Sequence, residues 1–178
     1  MTRKWLQSEN IRLRAPEPED LELMYLMEND TTLWSVGNTL LPYSRHTLRL
    51  YIKQTAHDLY AERQARFVIE TQDGEAIGMI DLADYSPHDA RAEVCIGILG
   101  RHRGKGYASE ALTLLKEYSF QYLNMHQLYA YIPAGHEKSR SLFEKTGFRH
   151  TCTLQEWKRD GEKFVDVELF QMHKNAGQ

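Results

Sequence analysis

The stretch Val94-Cys95-Ile96-Gly97-Ile98-Leu99-Gly100-Arg101-His102-Arg103-Gly104-Lys105-Gly106-Tyr107-Ala108 constrains the fold of this chain more than any other. An alternating apolar run gives way to Gly100, Gly104 and Gly106, interleaved with Arg101, Arg103 and Lys105. An amphipathic pattern then begins, placing Ala108, Ala111, Leu112, Leu115, Tyr118 and Tyr122 on one helical face. The order is strand, basic glycine-bearing loop, helix. The first N–H groups of a helix are unpaired donors at the positive end of its dipole, and glycines let an anion approach the backbone. Such a place suits phosphate. A plain strand-to-helix turn with solvated basic residues has the same local pattern, so the physics alone leaves both readings open.

Composition narrows the class. At 178 residues, 42% hydrophobic and 26% charged, the chain has the make-up of an ordinary globular protein and the length for one substantial core. Lys+Arg 22 against Asp+Glu 25 leaves a net charge of −3, which argues against a nucleic-acid partner. No run approaches the roughly 18 apolar residues of a membrane span, and no signal-peptide core is visible, so a cytoplasmic protein without a membrane partner is expected. Cys95 and Cys152 lack metal-ligand spacing and read as buried thiols. The eight histidines form no H-E-x-x-H or comparable cluster, and no metal is expected.

Along the chain, Ile11 to Arg14 alternates as a strand, and Pro16 to Asn29 reads as helical. Thr31 to Tyr43 is irregular. Ser44 is placed to cap a second helix with an apolar stripe of Leu48, Tyr51, Ile52, Thr55 and Leu59. Phe67 to Glu70 and Ala76 to Leu82 flank the hairpin signal Asp73-Gly74. Ala92 to Leu99 and Leu128 to Ile132 read as strands. Leu154 to Trp157 and Val165 to Met172 flank Asp160-Gly161 as a last hairpin.

The glycine loop is neither a P-loop nor a dinucleotide fingerprint, since it lacks G-x-x-x-x-G-K-[ST] and the first glycine of G-x-G-x-x-G. Arg101-x-x-Gly104-x-Gly106 after a strand resembles the acyl-CoA pyrophosphate loop of the GNAT acetyltransferases, R/Q-x-x-G-x-G/A. His136-Glu137-Lys138-Ser139-Arg140-Ser141-Leu142-Phe143-Glu144-Lys145-Thr146-Gly147-Phe148 resembles that family's later motif, N-E-K-[SA]-x-x-x-Y-x-K-x-G-F. The two stand in the expected order, one helix and one strand apart. The likeness runs from Ile11 to His173. It implies an α+β GNAT fold, a mixed central sheet flanked by helices in the order β-α-α-β-β-β-α-β-α-β-β. A single domain over residues 1–178, with its core at 11–173, is expected.

The resemblance also implies chemistry. Acetyl-CoA is the expected acetyl donor. Ile96, Gly97 and Ile98 would lie along the pantetheine arm, with Gly97 consistent with a bulge there. Arg101, Arg103, Gly104, Lys105, Gly106, Tyr107, Ala108 and Ser109 would hold the pyrophosphate, and His136, Ser139 and Phe143 would complete the cofactor side. An aliphatic amine, with a pKa of about 10.4, must lose a proton before it attacks the thioester. Glu93 is the candidate base, since strand alternation puts it on one face with Cys95 and Gly97. Asp81 and Asp84 stand near it as acceptor-binding candidates. Tyr43, Trp34, His46 and Trp157 offer aromatic or imidazole groups for an ammonium. Each of these residues has a plain structural alternative, a solvated face or a core contact.

One departure matters. The family often has a tyrosine where this chain has Phe143, to protonate the departing thiolate, and His136 replaces its asparagine. His136 or a displaced tyrosine such as Tyr107 would supply the proton, or the thiolate would leave unaided, or the chain would bind acyl-CoA without catalysis. Within the superfamily the chain looks closest to the spermidine N-acetyltransferases and the ribosomal-protein N-terminal acetyltransferases. The small-molecule expectation is a polyamine or diamine, the rival a protein N-terminus. Relatives often assemble, which makes a homo-oligomer an expectation too.

Overall fold

The computed structural model describes residues 5–34, 39–55 and 58–174. Strand β1 (Ile11–Arg14) buries Ile11 and Leu13 and turns Arg12 outward, as its alternation requires. A tight turn at Pro18–Asp20 opens into α1 (Leu21–Glu28), which buries Leu21, Leu23, Met24 and Met27. The segment read as irregular contains one helical turn, α2 (Thr31–Trp34). Helix α3 (Arg45–Gln54) starts at Ser44, whose Oγ accepts the Thr47 N–H at 3.0 Å. It stops sooner than its apolar stripe suggests: Thr55 is extended, its hydroxyl bonded back to the Tyr51 carbonyl. Leu59 therefore opens a separate turn, α4 (Leu59–Glu62), capped by Asp58.

The remaining elements alternate more regularly. The hairpin β2 (Ala65–Thr71) and β3 (Ala76–Ser86) leads into β4 (Arg91–Ile98). Helix α5 (Tyr107–Glu117) continues into a wider turn at Tyr118–Tyr122. Then come β5 (Gln127–Pro133), α6 (Glu137–Lys145), β6 (Arg149–Asp160) and β7 (Lys163–His173). The strands form one seven-stranded sheet in the order β1-β2-β3-β4-β5-β7-β6. Ala92, Val94, Leu128, Ala130 and Ile132 pack one face of it against Ala111, Leu112 and Leu115 of α5. On the other face Val68 and Met79 meet Met24, Met27 and Leu48 of α1 and α3. No helix among the described residues is long and apolar enough to cross a membrane.

One pairing positions everything that follows. β4 and β5 run parallel, but they pair only at Arg91↔Gln127, Ala92↔Leu128 and Glu93↔Tyr129. Beyond Glu93 they part. The far half of β4 stays paired with β3, regularly through Met79↔Gly97 and Gly78↔Ile98, so the bulge expected at Gly97 is absent. The irregularity lies instead between Ala83 and Ser86. Gly97 has another reason to be glycine: a Cβ there would sit 2.7 Å from Met27 Cε. Gly78 is tighter still, because its Cβ would meet the Gly97 carbonyl oxygen at 2.3 Å and Ile98 Cδ1 at 2.9 Å. Backbone cannot give way as a side chain can. Gly78→Ala is expected to cost about 2–4 kcal/mol of stability by overpacking β3 against β4. A urea midpoint equal to that of the parent would refute the crowding.

Candidate active site

The parting of β4 from β5 opens a cleft of about 210 Å³. Its walls come from α1 and α2 (Met27, Glu28, Trp34), β3 (Asp81), β4 (Glu93 to Gly97), β5 (Ala130 to Ile132) and α6 (Ser139, Phe143). Strand alternation works as expected: Val94 and Ile98 are buried toward α5, while Gly97 faces Met27 of α1. Trp34 donates its Nε1–H to the Glu28 carbonyl at 2.8 Å, which ties α2 to the end of α1.

The α1 side of the cleft is acidic and partly compensated. The β2–β3 register sets Arg66 opposite Asp81. Arg66 Nη2 lies 2.8 Å from Asp81 Oδ2, and its Nη1 lies 2.5 Å from Glu28 Oε1. Burial would lower the Arg66 pKa, but Asp81 and Glu28 outweigh it and keep the guanidinium charged. Burial pushes the Asp81 carboxyl up, against the pull of Arg66. Glu93 also rises, first from burial and then from the neighbouring charge of Asp84; the Cys95 thiol and Lys158 oppose the shift. Asp84 has φ 46 and accepts the Tyr129 hydroxyl at 2.5 Å. Burial, followed by that bond to Asp84, pushes the Tyr129 phenol up.

The glycine loop takes the shape the phosphate reading needs. Gly104 and Gly106 have φ 77 and 87, left-handed values that favour glycine. Gly106 is the residue before α5, and no side chain caps the helix start. The first N–H groups of α5 are thus open to an anion. Arg103 Nε donates to the Ile98 carbonyl at 2.9 Å and folds the loop back onto the end of β4. Arg101 turns away, its Nη2 2.9 Å from Glu75. Lys105 is exposed.

Several of the residues singled out from sequence converge here. Glu93, Asp81, Ile96, Gly97, Ser139, Phe143 and Trp34 line the cleft. Ile98 ends the same strand, and Asp84 meets the site through Tyr129 and Glu93. Others stand aside. Tyr107, Ala108 and Ser109 open α5, and His136 precedes α6 without a capping bond from its side chain. Tyr43 contributes its backbone, which Asn29 clamps through bonds of 2.9 and 3.0 Å, while its ring is exposed. His46 is exposed on α3, and Trp157 is exposed on β6. The two cysteines are not buried as expected: both have solvent-accessible surface. The side of β4 that carries Cys95 faces the cleft instead of packing under a helix. Glu28, Arg66, Tyr129 and Tyr131 were not foreseen. Only Arg66 left a trace, as a charge beside the apolar run Phe67-Val68-Ile69.

The fold that carries this cleft is shared with known proteins. The acetyltransferase (GNAT) domain matches residues 10–149. The chain belongs to the GNAT acetyltransferase family. It is an acetyl-CoA-dependent N-acetyltransferase, with the α+β fold expected of one. It is 32% identical over 141 residues to spermidine N(1)-acetyltransferase of Escherichia coli (strain K12), covering 78% of this chain and 73% of that one. It is 31% identical over 138 residues to the Vibrio cholerae spermidine N(1)-acetyltransferase, covering 78% of each. The crystal structure of spermidine N-acetyltransferase from Vibrio cholerae in complex with CoA and spermine is similar at a TM-score of 0.85. The identity there is 26%, with 95% of this chain and 98% of that one covered.

Proposed function

We propose that this GNAT enzyme acetylates a primary amine of a polyamine or diamine such as spermidine. The observation that carries the reading is the set of carboxylates on the α1 side of the cleft: Glu28, Asp81 and Glu93 in its wall, with Asp84 adjoining Glu93. Carboxylates that are partly desolvated attract ammonium groups and compensate their loss of water. The likeness to spermidine acetyltransferases supports the same choice.

In this reading the pyrophosphate rests on the backbone from Gly104 to Ser109, and the pantetheine arm runs beside Ile96 to Ile98. The thioester then lies in the split between β4 and β5, and the amine reaches it from the Glu93 side. Glu93 accepts a proton from the ammonium, directly or through water. The free nitrogen forms a bond to the acetyl carbonyl carbon, and the C–S bond breaks to release CoA thiolate. A carboxyl raised above its ordinary range serves better as a base near neutrality.

Phe143 has no proton to give the thiolate. It is 4% exposed and meets Phe148 edge-on at 5.0 Å, a packing role on the cleft wall. We read the thiolate as leaving without a dedicated acid, since a thiol pKa of about 8.5 makes it a tolerable leaving group. Phe143→Tyr is expected to change kcat by less than about threefold, well short of the 10²-fold that acid catalysis can supply. A tenfold rise in steady-state turnover would show that a missing acid limits the enzyme.

The deciding experiment is CoA release from acetyl-CoA with spermidine, spermine, short diamines, amino acids and N-terminal peptides. Saturable turnover on polyamines or diamines alone supports the proposal. Turnover on peptides alone would make the enzyme an N-terminal acetyltransferase. Silence throughout, with acetyl-CoA bound, would indicate an acyl-CoA sensor or an acceptor outside the panel.

A further inference from the structure

Where the β4–β5 pairing ends, one side chain of the cleft wall has no part in the chemistry above. Glu93 pairs with Tyr129, and strand alternation puts Tyr131 on the same face two residues on. By then β4 has departed: Tyr131 pairs with Leu169 of β7 but with no residue of β4. It lies in the interior of the sheet order yet is 39% exposed, and it lines the cleft. Its ring meets that of Tyr129 edge-on, at 77° with 5.6 Å between centroids. Tyr129 is itself fixed, buried and donating its hydroxyl to Asp84 at 2.5 Å. Among the described residues the aromatic side chains lining the cleft are Trp34, Tyr131 and Phe143. Phe143 is packed on Phe148, and Trp34 ends α2, tied to the Glu28 carbonyl. Tyr131 is the one on a strand that borders the split.

We infer that Tyr131 is a specificity-determining residue of the acetyl transfer, its ring holding the acceptor's ammonium beside the split by cation–π attraction. The inference rests on the amine-acceptor reading. Glu28 and Asp81 already share their charge with Arg66, through contacts of 2.5 and 2.8 Å. Glu93 is the group that takes the proton. An aromatic ring adds attraction for the cation without placing a second base beside Glu93. A partly desolvated position strengthens that attraction, since less water competes with the ring. The nitrogen regains positive charge as it bonds to the acetyl carbon, so the ring favours the bound ammonium and the addition step alike. Interactions of this uniform kind set KM and leave kcat nearly unchanged. An aliphatic side chain in place of the ring forgoes the attraction.

The test is steady-state KM and kcat for the best amine of the panel in the parent, Tyr131→Phe, Tyr131→Leu and Tyr131→Met. Phenylalanine keeps the ring and drops the hydroxyl, whereas leucine and methionine keep apolar volume and drop the ring. The expected result is a KM raised about tenfold in the two aliphatic variants, within the range of a partly desolvated cation–π contact. Tyr131→Phe should stay within about twofold of the parent, and kcat should hold throughout. Methionine's flexible chain fills the vacated space, so it carries the test if Tyr131→Leu does not fold. Equal affinity for acetyl-CoA in each variant reports the folded state. A KM unchanged without the ring, or raised as far in Tyr131→Phe, would overturn the inference. If the parent acetylates no amine, the acceptor reading fails separately, and calorimetric binding of spermidine decides. Weaker binding to the aliphatic variants alone supports the ring, and equal binding refutes it.

Discussion

Glu93→Gln is expected to lower kcat/KM for the amine on the order of a hundredfold to a thousandfold at neutral pH, the usual contribution of a positioned base. Acetyl-CoA affinity should hold, because Glu93 faces the α1 side of β4, away from the glycine loop and the start of α5. The dependence on pH carries the sharper information. A base works ionised, so activity is lost as pH falls through its pKa, and burial and Asp84 both raise that pKa. The acid limb of kcat/KM should therefore sit above the ordinary carboxylate range. Asp84→Asn removes one raising charge and should move the limb to lower pH. A Glu93→Gln enzyme with full activity, or a limb that Asp84→Asn leaves in place, would remove Glu93 from the role.

Arg66→Met should damage the folded state through the loss of a buried charge partner. The side chains of Arg66, Glu28 and Asp81 are only 21%, 15% and 20% exposed, so loss of the guanidinium leaves two carboxylates facing each other with little water. Breaking such a group costs about 3–5 kcal/mol when fully buried, and about 2–3 kcal/mol suits this partly open site. The sign with pH follows. Without Arg66 nothing offsets the rise that burial imposes on the Asp81 carboxyl, so protonation favours the folded form and ionisation disfavours it. The deficit relative to the parent should be small in acid and grow as pH rises through the carboxylate range toward neutrality. Thermal melts across that range measure it. A deficit independent of pH would mean that packing, and not charge, is what Arg66 supplies.

Both predictions depend on placements of unequal legibility. The alternation of Val94 to Ile98 already put Glu93, Cys95 and Gly97 on one face, because a strand has a period of two regardless of what surrounds it. The left-handed turns at Gly104 and Gly106 and the cap at Ser44 were similarly local, decided by backbone sterics and a hydroxyl within reach of its own helix. Local chemistry misjudged where α3 stops, since the Thr55 bond back to Tyr51 competes with an apolar stripe that runs on. It also misjudged Cys95, whose residue type suggests burial while its side of β4 opens on the cleft.

What the sequence determined by itself was the succession of elements, the face of each strand and the phosphate-ready loop, all set by interactions within a few residues. What only the tertiary structure decided was who meets across the cleft. Arg66 reaches Glu28 across 38 positions of the chain, and Tyr129 reaches Asp84 across 45. Such contacts depend on sheet order, on where β4 parts from β5 and on register slips, and pairing between distant strands leaves no periodic mark in either strand's own residues.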